Sequence, residues 1–371
     1  MAKVTGLEGI VAAETDISLV DGERGRLVYR GFLAKDLAIT QSYEEVAYLL
    51  WNGQLPEQDE LEQLHMRLAN LRNIPEYICK IIDLLPLSIS MMGVLQTAVA
   101  ALGDAAEVAW PPTLQQAERL TAILPSIVAY RYRKLNGLPT VEPDARLGHA
   151  ANYLYMLTGQ LPEESHSKAL NAYLILGMEH GMNASTFAGR VILSTQSDMN
   201  AAVCGAIGAM KGPLHGGAPY EVISMLEEIG SKDRAEPWMR NALEHGARLM
   251  GFGHRIYKTN DPRAEALRIV TLQMTGEDPS FELAIHVENT AIRLLEEYKP
   301  GRRLFTNVEF YAAAILRAVQ ISPDLFTPTF TLGRIVGWTA HILEQASINR
   351  IFRPESLYTG PMPEADLSVI K

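Results

Sequence analysis

Cysteine is almost missing from this chain. Cys79 and Cys204 are the only two in 371 residues. They are too few and too far apart to set up a disulfide framework, which fits a reducing cytosol. Long apolar runs are missing as well: no stretch reaches the roughly 18 uncharged apolar residues of a membrane helix. The first twenty residues, MAKVTGLEGIVAAETDISLV, carry no long apolar core behind a basic start, so no signal peptide is expected and the assignment is cytoplasmic. Positive charge is in deficit. A net charge of −10 argues against a nucleic-acid or anionic-membrane partner, and any anionic substrate must be held by locally placed arginines. There is no alternation of strand and helix signals, which excludes a Rossmann or barrel plan. No fixed-period repeat or low-complexity segment occurs.

Helix formers dominate what remains. Apolar residues make up 47% of the chain, enough for a large core, and Ala, Leu, Met and Glu are common while aromatics are few. Residues 17–31, ISLVDGERGRLVYRG, alternate apolar and polar around Asp21-Gly22 and predict a small hairpin. The stretch QSYEEVAYLLWNG opens with a capping box from Ser42 to Glu45 and stops at Gly53. Helical periodicity then recurs along the chain, from DELEQLHMRLANLRN through FELAIHVENTAIRLLEEY to TPTFTLGRIVGWTAHILEQASINR. The expected fold is all-α with a small N-terminal β-hairpin. The best internal boundaries are the glycine-rich stretch near His215 and the segment around QISPDLFTP, giving a large helical domain (1–214 and 326–371) and a smaller, mobile helical domain (215–325).

Two glycine-rich stretches interrupt the helices. KGPLHGGAP (211–219) sets His215 among three glycines and two prolines, and GFGHRIYK (251–258) repeats the design around His254. Glycine lets backbone approach a ligand closely, so both histidines are candidates. EHGMNAST places His180 at a helix end, and TNVEFYAAA places Glu309 at a helix start. Arginines accompany them: Arg263 in NDPRAEALR, Arg334 in LGRIVGW and Arg353 in IFRPESLYTG. Several guanidinium forks together suit a polycarboxylate. Each residue also has an ordinary reading. A lone histidine is usually packed or solvated; Thr306-x-x-Glu309 is itself a capping box. Arg263 fits a first helical turn, and Arg334 fits a surface position. Zinc is not expected, since no histidine shows His-x-x-x-His spacing.

Taken jointly, the motifs are far more specific. GPLHGGA, GFGHRIYKTNDPRA, NVEFYAA and the distal GRIVGWTAHILEQ…RIFRP, with DGERGRLVYRG and EHGMNAST, resemble the citrate synthase family over essentially the whole chain. The compact length resembles the shorter dimeric type of bacteria and archaea. The resemblance implies an all-α fold of two domains, active sites in the clefts of a homodimer, and condensation of acetyl-CoA with oxaloacetate followed by thioester hydrolysis, with no cofactor. It implies Glu309 as catalytic base, His215 as donor to the thioester oxygen and His254 as donor to the oxaloacetate carbonyl. His180, Arg263, Arg334 and a partner subunit's counterpart of Arg353 would hold the carboxylates, and Arg255 and Lys258 would contact CoA. A helix beginning just beyond His215 is expected to keep that ring neutral. One position departs from the family: Glu309 stands where Asp is usual, one methylene longer. Propionyl-CoA, as in 2-methylcitrate synthase, is the close alternative substrate, and a non-catalytic CoA- or dicarboxylate-binding paralogue the alternative of another class.

Overall fold

The computed structural model describes residues 6–7, 9–103, 110–216, 220–253, 256–257, 259–273, 279–302 and 304–362. His254, Arg255 and Lys258 lie outside the described residues. Among those described are 17 α-helices and one three-stranded antiparallel sheet, so the chain is all-α with a small sheet at its start.

The sheet comprises β1 (Ser18–Asp21), β2 (Arg26–Tyr29) and β3 (Phe32–Leu33). Asp21 pairs with Arg26, so the hairpin turn holds four residues, 22–25, and is not a tight Asp-Gly turn. Asp21 Oδ1 accepts the Arg24 N–H at 3.0 Å, and Gly25 supplies the positive φ of 61°. Tyr29 is fully buried; its hydroxyl donates to the Glu179 carbonyl at 2.9 Å and accepts the Glu179 N–H at 3.2 Å. The sheet is thereby fastened to the end of the Glu164–Gly177 helix.

The capping box is present as expected. Ser42 Oγ accepts the Glu45 N–H at 3.2 Å, the Glu45 carboxylate accepts the Ser42 N–H at 2.6 Å, and the helix stops at Gly53 with φ 86°. Such caps contribute about 1 kcal/mol each. At the centre lies the 22-residue helix Phe326–Ser347, buried on nearly every side, including Trp338 and Arg334. A helix without a polar face belongs inside a bundle. Two glycines let it press against the Glu164–Gly177 helix and the turn that follows. A methyl group at Gly333 would stand 2.7 Å from the Leu174 carbonyl oxygen, and one at Gly337 would stand 2.2 Å from that of Met178. That approach brings Arg334 beside His180's turn.

Candidate active site

Five of the nine residues singled out from sequence line one cavity of about 320 Å³: His180, His215, Arg263, Glu309 and Arg334. Arg353 is exposed, beyond the last helix, and does not line it. Among the described residues, no group of three or more His, Cys, Asp or Glu is placed to hold a metal ion.

Arg334 is not the surface residue its setting allowed. It is 2% exposed, its Nε donates to the Gly177 carbonyl at 2.7 Å, and its guanidinium lies 4.8 Å from the Phe330 ring centroid. Burial lowers its pKa from the usual value, while the neighbouring carboxylate of Glu179 opposes this. The site thus contains a desolvated guanidinium in its wall, which favours an anion.

His215 sits in a short helical turn, Pro213–Gly216, rather than in an open loop. Its Nε2 lies 2.7 Å from Ser185 Oγ, and Ser185 Oγ also accepts the Trp338 indole N–H at 2.9 Å. The ring's pKa is lowered to about 4, first by burial and then by Arg334. The expectation of a neutral ring therefore stands, on burial and the Arg334 charge. Ser185 has one proton and two acceptors in reach, His215 Nε2 and Asn183 Oδ1 at 2.8 Å. When it points at Nε2, the neutral imidazole carries its own proton on Nδ1.

Glu309 does not cap its helix. The N-cap of Val308–Ala318 is Asn307, whose Oδ1 accepts the Glu309 N–H at 3.0 Å. Thr306, the other half of the expected box, donates its hydroxyl to Glu288 Oε1 at 2.7 Å instead. Glu309 is left to face the cavity. Its pKa is raised to about 7; burial raises it most, Arg263 lowers it, and Asp261 raises it further. A carboxyl group balanced near neutrality is what a general base at physiological pH requires.

The helix start carrying Glu309 is tied to the 251–263 segment. Phe252 and Thr306 form an antiparallel bridge, Asn307 Nδ2 donates to the Gly253 carbonyl at 2.8 Å, and Gly251 and Gly253 hold φ of 86° and 84°. Asp261, which sequence reading passed over, is the connector. Its Oδ2 accepts the Val308 N–H at 3.1 Å and Arg263 Nη2 at 2.9 Å; its Oδ1 accepts Arg263 Nε at 3.1 Å. Arg263 is thus an oriented, ion-paired member of the wall, 6% exposed. Burial works to lower its pKa, but Asp261 dominates and raises it. His180 Nε2 lies 3.1 Å from the Tyr257 hydroxyl, and Arg263 stacks over the Tyr257 ring at 5.7 Å. Ser185, Trp338 and Tyr257 were also missed. The only sequence signal for them was their position inside the motifs.

The arrangement offers two guanidinium groups, a neutral imidazole and a near-neutral carboxyl group around one cavity. That set can bind a polyanion and remove a proton from weakly acidic carbon.

Comparison with known proteins bears on this set. The family described as "Citrate synthase, C-terminal domain" matches residues 6–355. The citrate synthase of Synechocystis is 40% identical, over 99% of this chain and 95% of its own. The 2-methylcitrate synthase of Mycobacterium tuberculosis is 39% identical, over 96% of this chain and 90% of its own. The crystal structure of Pyrobaculum aerophilum citrate synthase is similar with a TM-score of 0.87 and 38% identity, covering 97% of this chain and 94% of that one. A ternary complex of the Thermoplasma acidophilum citrate synthase with carboxymethyl coenzyme A and oxaloacetate has a TM-score of 0.84 and 29% identity, covering 97% and 98%.

Proposed function

The chain belongs to the citrate synthase family, and from that premise we propose that it condenses acetyl-CoA with oxaloacetate and hydrolyses the resulting thioester to citrate and CoA. The observation that carries the reading is the meeting of Glu309, raised to about 7, with neutral His215 and the guanidinium of Arg334 in one cavity.

The residues divide the work. Arg263, Arg334 and His180 hold oxaloacetate through its carboxylates. Glu309 takes a proton from the acetyl methyl group. The electron pair released moves onto the thioester oxygen, where the His215 Nδ1–H donates a hydrogen bond. The enol carbon then bonds to the ketone carbon of oxaloacetate. Its carbonyl oxygen becomes an alkoxide and takes up a proton, a role that the family motif gives to His254. Water next cleaves the citryl thioester, releasing CoA. Arg255 and Lys258 are assigned to CoA phosphates on the same motif. Residues 215–325 act as the small domain that closes over the large one, excluding water from the enol. Arg353, exposed beyond the last helix, completes the cavity of a second copy in a homodimer. No described helix is long and apolar enough to cross a membrane; together with two thiols and no expected disulfide, this supports a cytoplasmic setting.

Propionyl-CoA is the second reading, since a 2-methylcitrate synthase is 39% identical over nearly the whole chain. One methylene in an apolar pocket changes the barrier by only ~1–3 kcal/mol. A thiol-release assay with oxaloacetate and each acyl-CoA tests both. Acetyl-CoA is expected to have the higher kcat/KM, by about 10-fold or more. The reverse order assigns the propionyl reaction, and no release with either removes the enzymatic reading.

A further inference from the structure

The β1–β2 turn meets the cavity wall from behind. A methyl group at Gly22 would stand 2.4 Å from the Ile256 carbonyl oxygen. One at Gly25 would stand 2.5 Å from Thr259 Oγ1 and 2.8 Å from the Asn260 carbonyl oxygen. Turn and segment are therefore seated with almost no space between them, a fit open only to glycine. This is not core packing: Ile256 is 43% exposed. The turn itself is held from below. Besides the Tyr29 anchor, Ser18 Oγ donates to Glu179 Oε1 at 3.0 Å, and Glu179 is completely buried.

The segment seated on the turn is the one that arranges the anion-binding side chains. Ile256 lines the cavity. Tyr257 lies edge-on to His180, with ring centroids 5.7 Å apart, and its ring carries the Arg263 guanidinium on the other contact. Moving Ile256, Thr259 and Asn260 by the width of a methyl group moves Tyr257 with them, and His180 and Arg263 lose their common reference.

We propose that the 22–25 turn is a positioning element for substrate: its two glycines set the height of Ile256, Tyr257, Thr259 and Asn260, and through Tyr257 they set the spacing of His180 and Arg263 for a dicarboxylate. This rests on the oxaloacetate reading above. It adds the N-terminal hairpin to the determinants of affinity.

Gly22→Ala is the direct test, because Gly22 does not hold a positive φ and alanine there is unstrained apart from the contact. Oxaloacetate binding to the full-length protein would be measured by calorimetry, alongside the thermal midpoint. Gly22→Ala is expected to weaken binding by ~10-fold or more, the scale of effect that a sub-ångström misplacement produces. Gly53→Ala, strained at φ 86° but with open space around it, should lower the midpoint and leave binding within about twofold. Thr259→Ala, which removes the hydroxyl facing Gly25 without adding bulk, should weaken binding severalfold. Tyr257→Phe should resemble Gly22→Ala, and the double variant should lose no more than the weaker single. Wild-type affinity in folded Gly22→Ala and Thr259→Ala, or multiplying losses in the double variant, overturns the proposal. A wild-type protein that neither binds nor consumes oxaloacetate overturns the functional reading instead.

Discussion

The cavity has two unlike walls. One is built on the buried Phe326–Ser347 helix: Arg334 projects from its middle onto the Gly177 carbonyl, and Trp338, one turn on, fixes Ser185 and so His215. These are hydrogen bonds to backbone and neutral groups, in regular helix, inside the largest core. The other wall is made by the described residues of 251–263 and by 304–312. Among the described residues it is held by the Phe252–Thr306 bridge, the Asn307–Gly253 and Asp261–Val308 hydrogen bonds, two glycines of positive φ and the Asp261–Arg263 ion pair. On the proposed reading the walls share the binding of substrate, through Arg334 on the helical side and Arg263 on the irregular side, and differ in proton chemistry. The helical wall adds His215, a neutral hydrogen-bond donor. The irregular wall carries Glu309, whose ionised form is disfavoured by burial and, on the proposed reading, is discharged when it takes the substrate proton.

The largest expected effect falls on the irregular wall. Glu309→Gln keeps size and hydrogen bonding but removes the proton acceptor, so kcat should fall by about 100-fold or more with oxaloacetate affinity little changed. In the wild type, kcat should rise with pH through a limb near 7, because the ionised carboxylate is the active form. The same group costs stability. The unfolded carboxyl ionises near its ordinary value and the folded one near 7, so stability declines as pH rises between the two. Glu309→Gln should therefore be more stable than wild type above pH 7, by about 3 kcal/mol in denaturant titrations. Wild-type turnover in the Gln variant would remove Glu309 from the chemistry. Glu309→Asp, the family's usual residue, should stay active within about 100-fold, since the carboxylate is kept and only its position changes.

Arg334→Gln attacks the helical wall. The loss should appear chiefly as a raised KM for oxaloacetate, by about 100-fold, with a smaller change in kcat. An equal fall in kcat and kcat/KM would erase the division between walls. Subunit mixing examines whether a second copy adds a third component. Arg353→Gln and Glu309→Gln proteins should each be poorly active if, as proposed, two copies share each site. Mixing them should restore roughly a quarter of wild-type activity, because half the dimers are mixed and each has one intact site. No recovery on mixing places Arg353 outside the neighbouring site.

Ser185→Ala is a milder probe. It removes the hydroxyl 2.7 Å from His215 Nε2, and kcat should fall by about 10-fold with KM for oxaloacetate unchanged. The smallest effect concerns acid stability. His149, stacked on Tyr43 with centroids 4.0 Å apart, has its pKa lowered to about 3 by burial, with Glu44 opposing. His215 is lowered to about 4. As pH falls below the ordinary histidine value, the unfolded chain gains protons that these folded rings refuse, so stability is lost progressively toward pH 3 to 4. His149→Phe, which preserves the stack, should flatten that loss in acid unfolding while leaving activity at neutral pH intact.

Local chemistry was legible in the chain before any folding. The Ser42–Glu45 box, the stop at Gly53, the helical periods and the motif set all rest on residues close in sequence, where propensity and capping act directly. Other features were decided by contacts between distant segments. Thr306-x-x-Glu309 has every local mark of a cap, yet Glu288, 18 residues back, takes the threonine hydroxyl and frees the carboxylate for the cavity. Arg334 has the look of a surface residue until Gly333 and Gly337 bring its helix against Leu174 and Met178. His215 is held neutral by burial and by an arginine 119 positions later. Burial, and with it pKa, belongs to the packed assembly of helices: desolvation depends on every neighbour at once, and those neighbours are assembled only when the chain folds.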